Sequence, residues 1–246
     1  MLSNLFKKKK AKMNRREVLV APNTHAYQNY ADIQINLDFA SIDQKKKFFA
    51  VTSSTPGEGK SSTCVNLAQV YANSNNKVLI IDLDLRRPTI HYFFKMPNSN
   101  GITDYCLDKC DLETAIHHTK INNLDVITAG THTPYPTKIL QSHKLNSLFE
   151  TVKDKYDYIF VDTPPVLAAS DMVSVSGTID QYIVVCYSGF TKKNEFDETI
   201  RRLRNADVDI AGVVLTHVKK HDKKAYGYNS YSYGYGKNKW LICTRT

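Results

Sequence analysis

Ser53-Ser54-Thr55-Pro56-Gly57-Glu58-Gly59-Lys60-Ser61-Ser62 follows a strand-like run, Phe48-Phe49-Ala50-Val51-Thr52, and precedes a helical pattern from Cys64 to Tyr71. Strand, tight glycine turn, Lys-Ser and helix is the order of elements that wraps the phosphates of a nucleotide. Gly57 and Gly59 let the backbone turn sharply and aim N–H groups inward. The Lys60 ammonium suits the β and γ oxygens of ATP, and the Ser61 hydroxyl suits Mg²⁺. The pattern G-x-x-x-x-G-K-[ST] fits at every position but the first, where Ser54 stands in place of glycine. The expected nucleotide contacts are therefore Ser54, Thr55, Pro56, Gly57, Glu58, Gly59, Lys60, Ser61 and Ser62.

Two acidic strand ends complete this reading. Lys77-Val78-Leu79-Ile80-Ile81-Asp82-Leu83-Asp84-Leu85-Arg86-Arg87-Pro88 is an apolar run that ends in acids, as a strand buried on both faces does where it opens on a site. Asp82 and Asp84 have period-two spacing, which predicts carboxylates on the same side. Two such carboxylates repel unless a cation lies between them or one takes a proton. Mg²⁺ and a substrate hydroxyl would meet both conditions. About 100 residues after the glycine turn, Tyr158-Ile159-Phe160-Val161-Asp162-Thr163-Pro164-Pro165 has the Walker B form, with Asp162 as a further Mg²⁺ ligand.

The other segments supply the frame. Strands are expected at Leu124 to Thr128, Asp180 to Tyr187 and Ile210 to Val218. Helices are expected at Tyr27 to Phe39, Gly101 to Leu107, Leu112 to His117, Thr137 to Val152 and Lys193 to Ala206. In the first helix Tyr30, Ile33, Leu37 and Ile35 lie on or near one face, which suits packing on this domain or on a neighbouring subunit. Strands alternating with helices predict an α/β fold of the P-loop NTPase type, a doubly wound and mostly parallel sheet flanked by helices.

Composition limits the rest. The chain of 246 residues, 42% of them hydrophobic, is long enough for one domain with a substantial core. It contains no apolar run of about 18 residues and no signal-peptide core, which predicts a cytoplasmic protein. The cysteines are five and scattered, and neither they nor the eight histidines form a metal pattern. The net charge of +9 is concentrated in Lys7, Lys8, Lys9, Lys10, Lys12, Arg15 and Arg16, behind Leu2, Leu5 and Phe6. That arm suits solvent or an anionic membrane surface. With no base-stacking aromatic module beside it, nucleic acid is not an expected partner. Residues 225–239 hold five of the fifteen tyrosines, Tyr226, Tyr228, Tyr231, Tyr233 and Tyr235, among Gly, Ser and Asn. The expected organisation is a flexible basic arm at 1–22, one domain at 23–224 and a flexible Tyr/Gly-rich tail at 225–246.

Taken in order, Thr52-to-Ser61, the Walker A′ segment Leu79-to-Pro88, Walker B and the tyrosine tail resemble the bacterial tyrosine kinases, over about residues 27–236. The resemblance is to the capsular or exopolysaccharide type, in which the membrane activator is a separate protein. It implies ATP and Mg²⁺ as cofactors and Lys60 on phosphate. Ser61, Asp82, Asp84 and Asp162 would be at the metal, with Asp82 activating the incoming tyrosine hydroxyl and Arg86 stabilising charge. The tail tyrosines become phosphoacceptors, modified between subunits. The resemblance further implies an integral-membrane activator, a cognate tyrosine phosphatase, recruitment to the inner face of the cell membrane and control of polysaccharide synthesis.

The family's ring-forming helix carries E-x-x-R-x-x-R, and Gln28, Ala31 and Gln34 occupy those places here. A homo-oligomeric ring thus lacks its charged contacts. Gly130 to Leu140 is similar to a family loop, with Tyr135 where that loop has asparagine. Two other readings remain. Dimerising ATPases of the ParA/MinD group share Walker A′ but carry a second lysine where this chain has Thr55. A catalytically idle, nucleotide-dependent scaffold of the polysaccharide machinery is the other.

Overall fold

The computed structural model describes residues 19–40, 46–169 and 177–218, with the backbone alone at 241–243. The basic cluster at 7–16 and the five tail tyrosines lie outside the described residues.

The strands are β1 (Phe48–Ser53), β2 (Val78–Asp82), β3 (His117–His118), β4 (Leu124–Ile127), β5 (Tyr158–Asp162), β6 (Gln181–Tyr187), β7 (Ile210–Thr216) and β8 (Leu241–Cys243). They form one sheet in the order β3-β4-β2-β5-β1-β6-β7-β8. The short edge strand β3 is antiparallel to β4, and every other neighbouring pair is parallel. The helices are α1 (His25–Ala40), α2 (Lys60–Asn73), α3 (Ile90–Phe94), α4 (Ile102–Cys106), α5 (Leu112–Ala115), α6 (Pro136–Leu140), α7 (His143–Lys153) and α8 (Lys193–Asn205).

Both faces of the sheet are covered, which is why its strands read as unbroken apolar runs. On one side Phe49, Val51, Ile80 and Phe160 pack with Tyr30 and Ile33 of α1, Leu67 and Tyr71 of α2, and Ile90 of α3. On the other, Phe48, Ala50, Ile81 and Val161 meet Leu145, Leu148 and Phe149 of α7 and Leu203 of α8. Phe48 and Phe149 cross edge to face at 5.7 Å, joining β1 to α7. Each such large side chain taken fully from water contributes roughly 1.5–3 kcal/mol.

α1 packs on its own domain through Tyr30, Ile33 and Leu37, all buried. The Tyr71 hydroxyl of α2 donates to Asp38 (2.9 Å), and Ser74 donates to Gln34 (3.2 Å). Ile35 does not join that face: it is 51% exposed, as Phe39 is at 56%.

Elsewhere the structure corrects the expected elements. The single helix at 137–152 is two, because Ser142 is extended (φ −73°, ψ 140°) and its hydroxyl accepts the Leu145 N–H as an N-cap. His117 belongs to a strand rather than to the preceding helix, which ends at Ala115. A short helix, α3, follows the Walker A′ turn, where none was expected. At the far edge of the sheet β8 pairs with β7, Leu241 opposite Val213.

Candidate active site

Three adjacent strands, β2, β5 and β1, deliver the expected residues to one edge. Asp82 and Asp162 close their strands as register partners, and Val51, next to the phosphate loop, lies opposite Asp162 on the other side. This is the carboxyl edge of a parallel sheet where the chain departs in both directions, the usual place for a ligand in such folds.

The phosphate loop then leads into α2. Gly57 and Gly59 have φ of 91° and 96°, a region that glycine enters without strain. Gly59 also backs onto β7: a Cβ there would stand 3.4 Å from the Thr216 methyl. Lys60 opens the helix, and no side chain caps the helix start at Gly59. The first N–H groups of a helix need outside acceptors, and their partial positive charge favours an anion.

Lys60 sits among the acids, with a side chain only 9% exposed. Its ammonium is 2.8 Å from Asp84 Oδ2 and 3.3 Å from Asp162 Oδ1. The Ser61 hydroxyl donates to Asp162 Oδ2 at 2.6 Å. Asp82 is completely buried and anchors the turn that follows it. Its Oδ1 accepts the Asp84 N–H (3.0 Å), and its Oδ2 accepts those of Thr89 and Ile90 (3.2 Å each). Asp84 Oδ1 in turn accepts the Arg87 N–H at 3.0 Å.

Asp84 lies two residues beyond the end of β2, just before the turn, and like Asp82 it stands close to Lys60. Arg86 stands exposed on that turn.

The charges follow from the burial. Burial opposes the Lys60 charge, but Asp162, Asp84 and Asp82 outweigh it and hold the ammonium's pKa above its ordinary value. Burial pushes the Asp82 carboxyl well above the usual carboxylate range, reinforced by Asp162 and opposed by Lys60. Asp162 is raised by burial too, with Lys60 and Ser61 pulling against it. The cluster thus favours a shared cation.

The donor set fits Mg²⁺ and a nucleotide. Among the described residues no three acidic, histidine or cysteine side chains are arranged to hold a metal, and both Asp82 oxygens already accept N–H groups. Asp84, Asp162 and the Ser61 hydroxyl are the hard oxygens suited to Mg²⁺, while the uncapped helix start and Lys60 match phosphate.

Within the loop, Glu58 points inward, with both carboxylate oxygens bonded to the loop itself: Ser54 N–H at 3.0 Å and Thr55 hydroxyl at 2.9 Å. The sequence reading also missed Thr199 and Thr216. The hydroxyls of Thr199 and Ser54 are hydrogen-bonded to each other, and that of Thr216 donates to the Glu58 carbonyl, both at 2.9 Å. One signal was available: Thr199 falls on the apolar stripe of an otherwise charged helix, between Phe196 and Leu203. Beside Thr216, His217 (φ 58°) stacks on Tyr187 with ring centroids 3.9 Å apart.

Fold and site together define a P-loop nucleotide-binding α/β protein, and residues 46–210 match the AAA domain family. Among curated proteins, the tyrosine-protein kinase YwqD of Bacillus subtilis is 34% identical over 91% of this chain and 95% of its own length. The tyrosine-protein kinase etk of Escherichia coli is 34% identical over 84% of this chain, which spans only 28% of that longer protein. The solved kinase domain of the latter superposes with a TM-score of 0.78, covering 87% of this chain and 82% of that one, at 34% identity. A septum site-determining protein MinD of Pyrococcus horikoshii aligns with a TM-score of 0.60 over 71% of each chain. At 21% identity, that likeness is one of fold alone. The chain belongs to the bacterial tyrosine kinase family.

Proposed function

We propose that the chain transfers the γ-phosphoryl group of ATP to tyrosine hydroxyls, with Mg²⁺ at the acid cluster, and that its own tail, in a neighbouring copy, is a principal substrate. One observation carries this reading most: Lys60, Ser61, Asp84 and Asp162 meet within 3.3 Å contacts at the edge of three adjacent strands, with Asp82 beneath them. Mg²⁺ would offset charge on the transferring phosphoryl group. The Lys60 ammonium, now held by Asp84 and Asp162, is the group for the phosphate oxygens. Ser61, Asp84 and Asp162 supply oxygen ligands. Arg86, exposed on the next turn, is the proposed group for charge on phosphate or acceptor.

Asp82 is the proposed proton acceptor. A phenol titrates near 10, so an ordinary carboxylate is a poor base for it. Burial and the neighbouring Asp162 raise the Asp82 carboxyl and narrow that gap. Proton transfer late in a loose phosphoryl transfer closes the remainder.

Thr55 weighs against the dimerising-ATPase reading. Where those enzymes place a lysine, this hydroxyl bonds inward to Glu58. Intact Lys60, Asp82, Asp84 and Asp162 weigh against an idle scaffold.

Family membership supports an integral-membrane activator, a cognate phosphatase, recruitment to the inner membrane face and control of capsular or exopolysaccharide synthesis. Among the described residues no helix is long and apolar enough to cross a membrane. A ring through the outer face of α1 would rest on Ile35 and Phe39 rather than on ion pairs. Five tail phosphates would add about −8 to −10 charges, at roughly −1.5 to −2 each, against a net +9. Phosphorylation would then loosen contacts that depend on basic surface.

The test is phosphotyrosine mapping by mass spectrometry after incubation with Mg²⁺-ATP and the activator's cytosolic segment. The reading expects label on Tyr226 to Tyr235 that vanishes in Lys60→Ala. ATP turnover with no labelled tyrosine would transfer the chain to the dimerising ATPases.

A further inference from the structure

We infer that Glu58 is a positioning residue that sets the shape of the phosphate loop before nucleotide arrives, an inference that rests on the loop being the nucleotide site. A carboxylate in a loop that receives a polyanion is misplaced if it faces the ligand, since like charges repel at close range. Glu58 resolves this by turning inward until none of it is exposed. Its two oxygens are both occupied, Oε2 by the Ser54 N–H and Oε1 by the Thr55 hydroxyl. The side chain is thereby a brace from the loop's fifth residue back to its first two.

The brace is anchored outside the loop at both ends. At the Glu58 end the carbonyl accepts from Thr216 of β7, and at the Ser54 end the hydroxyl is hydrogen-bonded to that of Thr199 of α8. This arrangement accounts for serine at a position where the motif has glycine. Ser54 is held by its N–H and by its hydroxyl, so the start of the loop does not depend on glycine's freedom.

It also divides the loop's work. The Ser54 amide is spent on Glu58 and Pro56 has no N–H, so phosphate recognition falls to the other loop amides, from Gly57 onward together with that of Thr55, and to Lys60. Without the brace, the buried Ser54 N–H and the half-buried Thr55 hydroxyl lose their acceptor and the loop samples other shapes. Apparent affinity falls by the fraction of molecules that keep the binding shape.

The experiment titrates the full chain with mant-ATP in MgCl₂, followed by fluorescence, at a temperature well below the melting point of each variant. Inorganic tripolyphosphate then serves as a competitor. Glu58→Ala is expected to weaken mant-ATP about tenfold and tripolyphosphate by the same factor, because the brace acts on the phosphate subsite. Glu58→Gln retains one acceptor oxygen and should lose about threefold, and Thr55→Val, which removes one of the two donors, about the same. Glu58→Ala binding within twofold of wild type overturns the inference, even if its melting point falls, because the role is then structural only. If Glu58→Ala does not fold, unchanged affinity in both Glu58→Gln and Thr55→Val overturns it instead. A wild-type chain that binds neither mant-ATP nor tripolyphosphate defeats the nucleotide-site reading itself, and the inference with it.

Discussion

Replacing Lys60 with methionine removes the cation that three buried acids share. Asp82 and Asp162 are fully buried and Asp84 is 4% exposed, so water compensates little when the ammonium is lost. Removing one partner of a buried ion pair costs about 3–5 kcal/mol, because the other charge stays unpaired. In a domain of this size, 1 kcal/mol shifts Tm by roughly 2–4 °C, so the nucleotide-free variant should melt about 6–20 °C below wild type at pH 8. The deficit has a pH sign. Asp82 and Asp162 have folded pKa values above the ordinary one, so between the two values the folded state binds more protons and stability falls as pH rises. Lys60 holds both down, and its loss lets them rise further and widens that window. The variant should therefore recover part of its deficit at pH 5. Calorimetry at the two pH values, without nucleotide or Mg²⁺, decides the matter. A Lys60→Met protein melting within 2 °C of wild type at pH 8 would refute the claim that this lysine neutralises a desolvated cluster.

Gly101→Ala should prevent folding or cost several kcal/mol, because its Cβ would lie 2.2 Å from the Thr128 carbonyl and 2.4 Å from the Gly130 amide; normal yield and melting would contradict that packing. Ser61→Ala removes the hydroxyl that donates to Asp162 at 2.6 Å; by isothermal titration, Mg²⁺-dependent nucleotide affinity should drop about tenfold, while binding without Mg²⁺ changes little. Glu198, paired with Arg201 and Arg202, should titrate near 2 rather than 4.5. Its contribution is present above its unfolded pKa and lost as pH falls through the folded one, and carboxyl NMR reads it directly.

The site was legible to the extent that its chemistry is local. Phosphate loops and acid-ended strands are written in consecutive residues, so Gly57 to Ser61, Asp82, Asp84 and Asp162 could be named from spacing. The burial of both sheet faces was legible for the same reason, from runs such as Val78 to Ile81. What escaped notice depends on distant partners. Thr199 and Thr216 matter through bonds to Ser54 and Glu58, more than 140 residues away in sequence. The N–H groups of Asp84, Thr89 and Ile90 that fix the Asp82 carboxylate, and that of Arg87 on Asp84, form a local network that counting spacings does not encode. The break between α6 and α7 turned on one serine whose capping bond outweighed a continuous apolar stripe. α1 settled on its own domain because Tyr30, Ile33 and Leu37 recur at helical spacing, whereas Ile35 falls outside that rhythm.

The central claim is that this acid-and-lysine edge phosphorylates the tyrosine tail of another copy. Its most direct measurement mixes two chains with Mg²⁺-ATP and the activator's cytosolic segment: Lys60→Ala with an intact tail, and a chain with a working phosphate loop in which all five tail tyrosines are phenylalanine. Mass spectrometry then reads the tail of the Lys60→Ala chain. Phosphate on Tyr226 to Tyr235 of that chain is the predicted result. An unlabelled tail there, while the wild-type chain labels its own, would contradict transfer between copies.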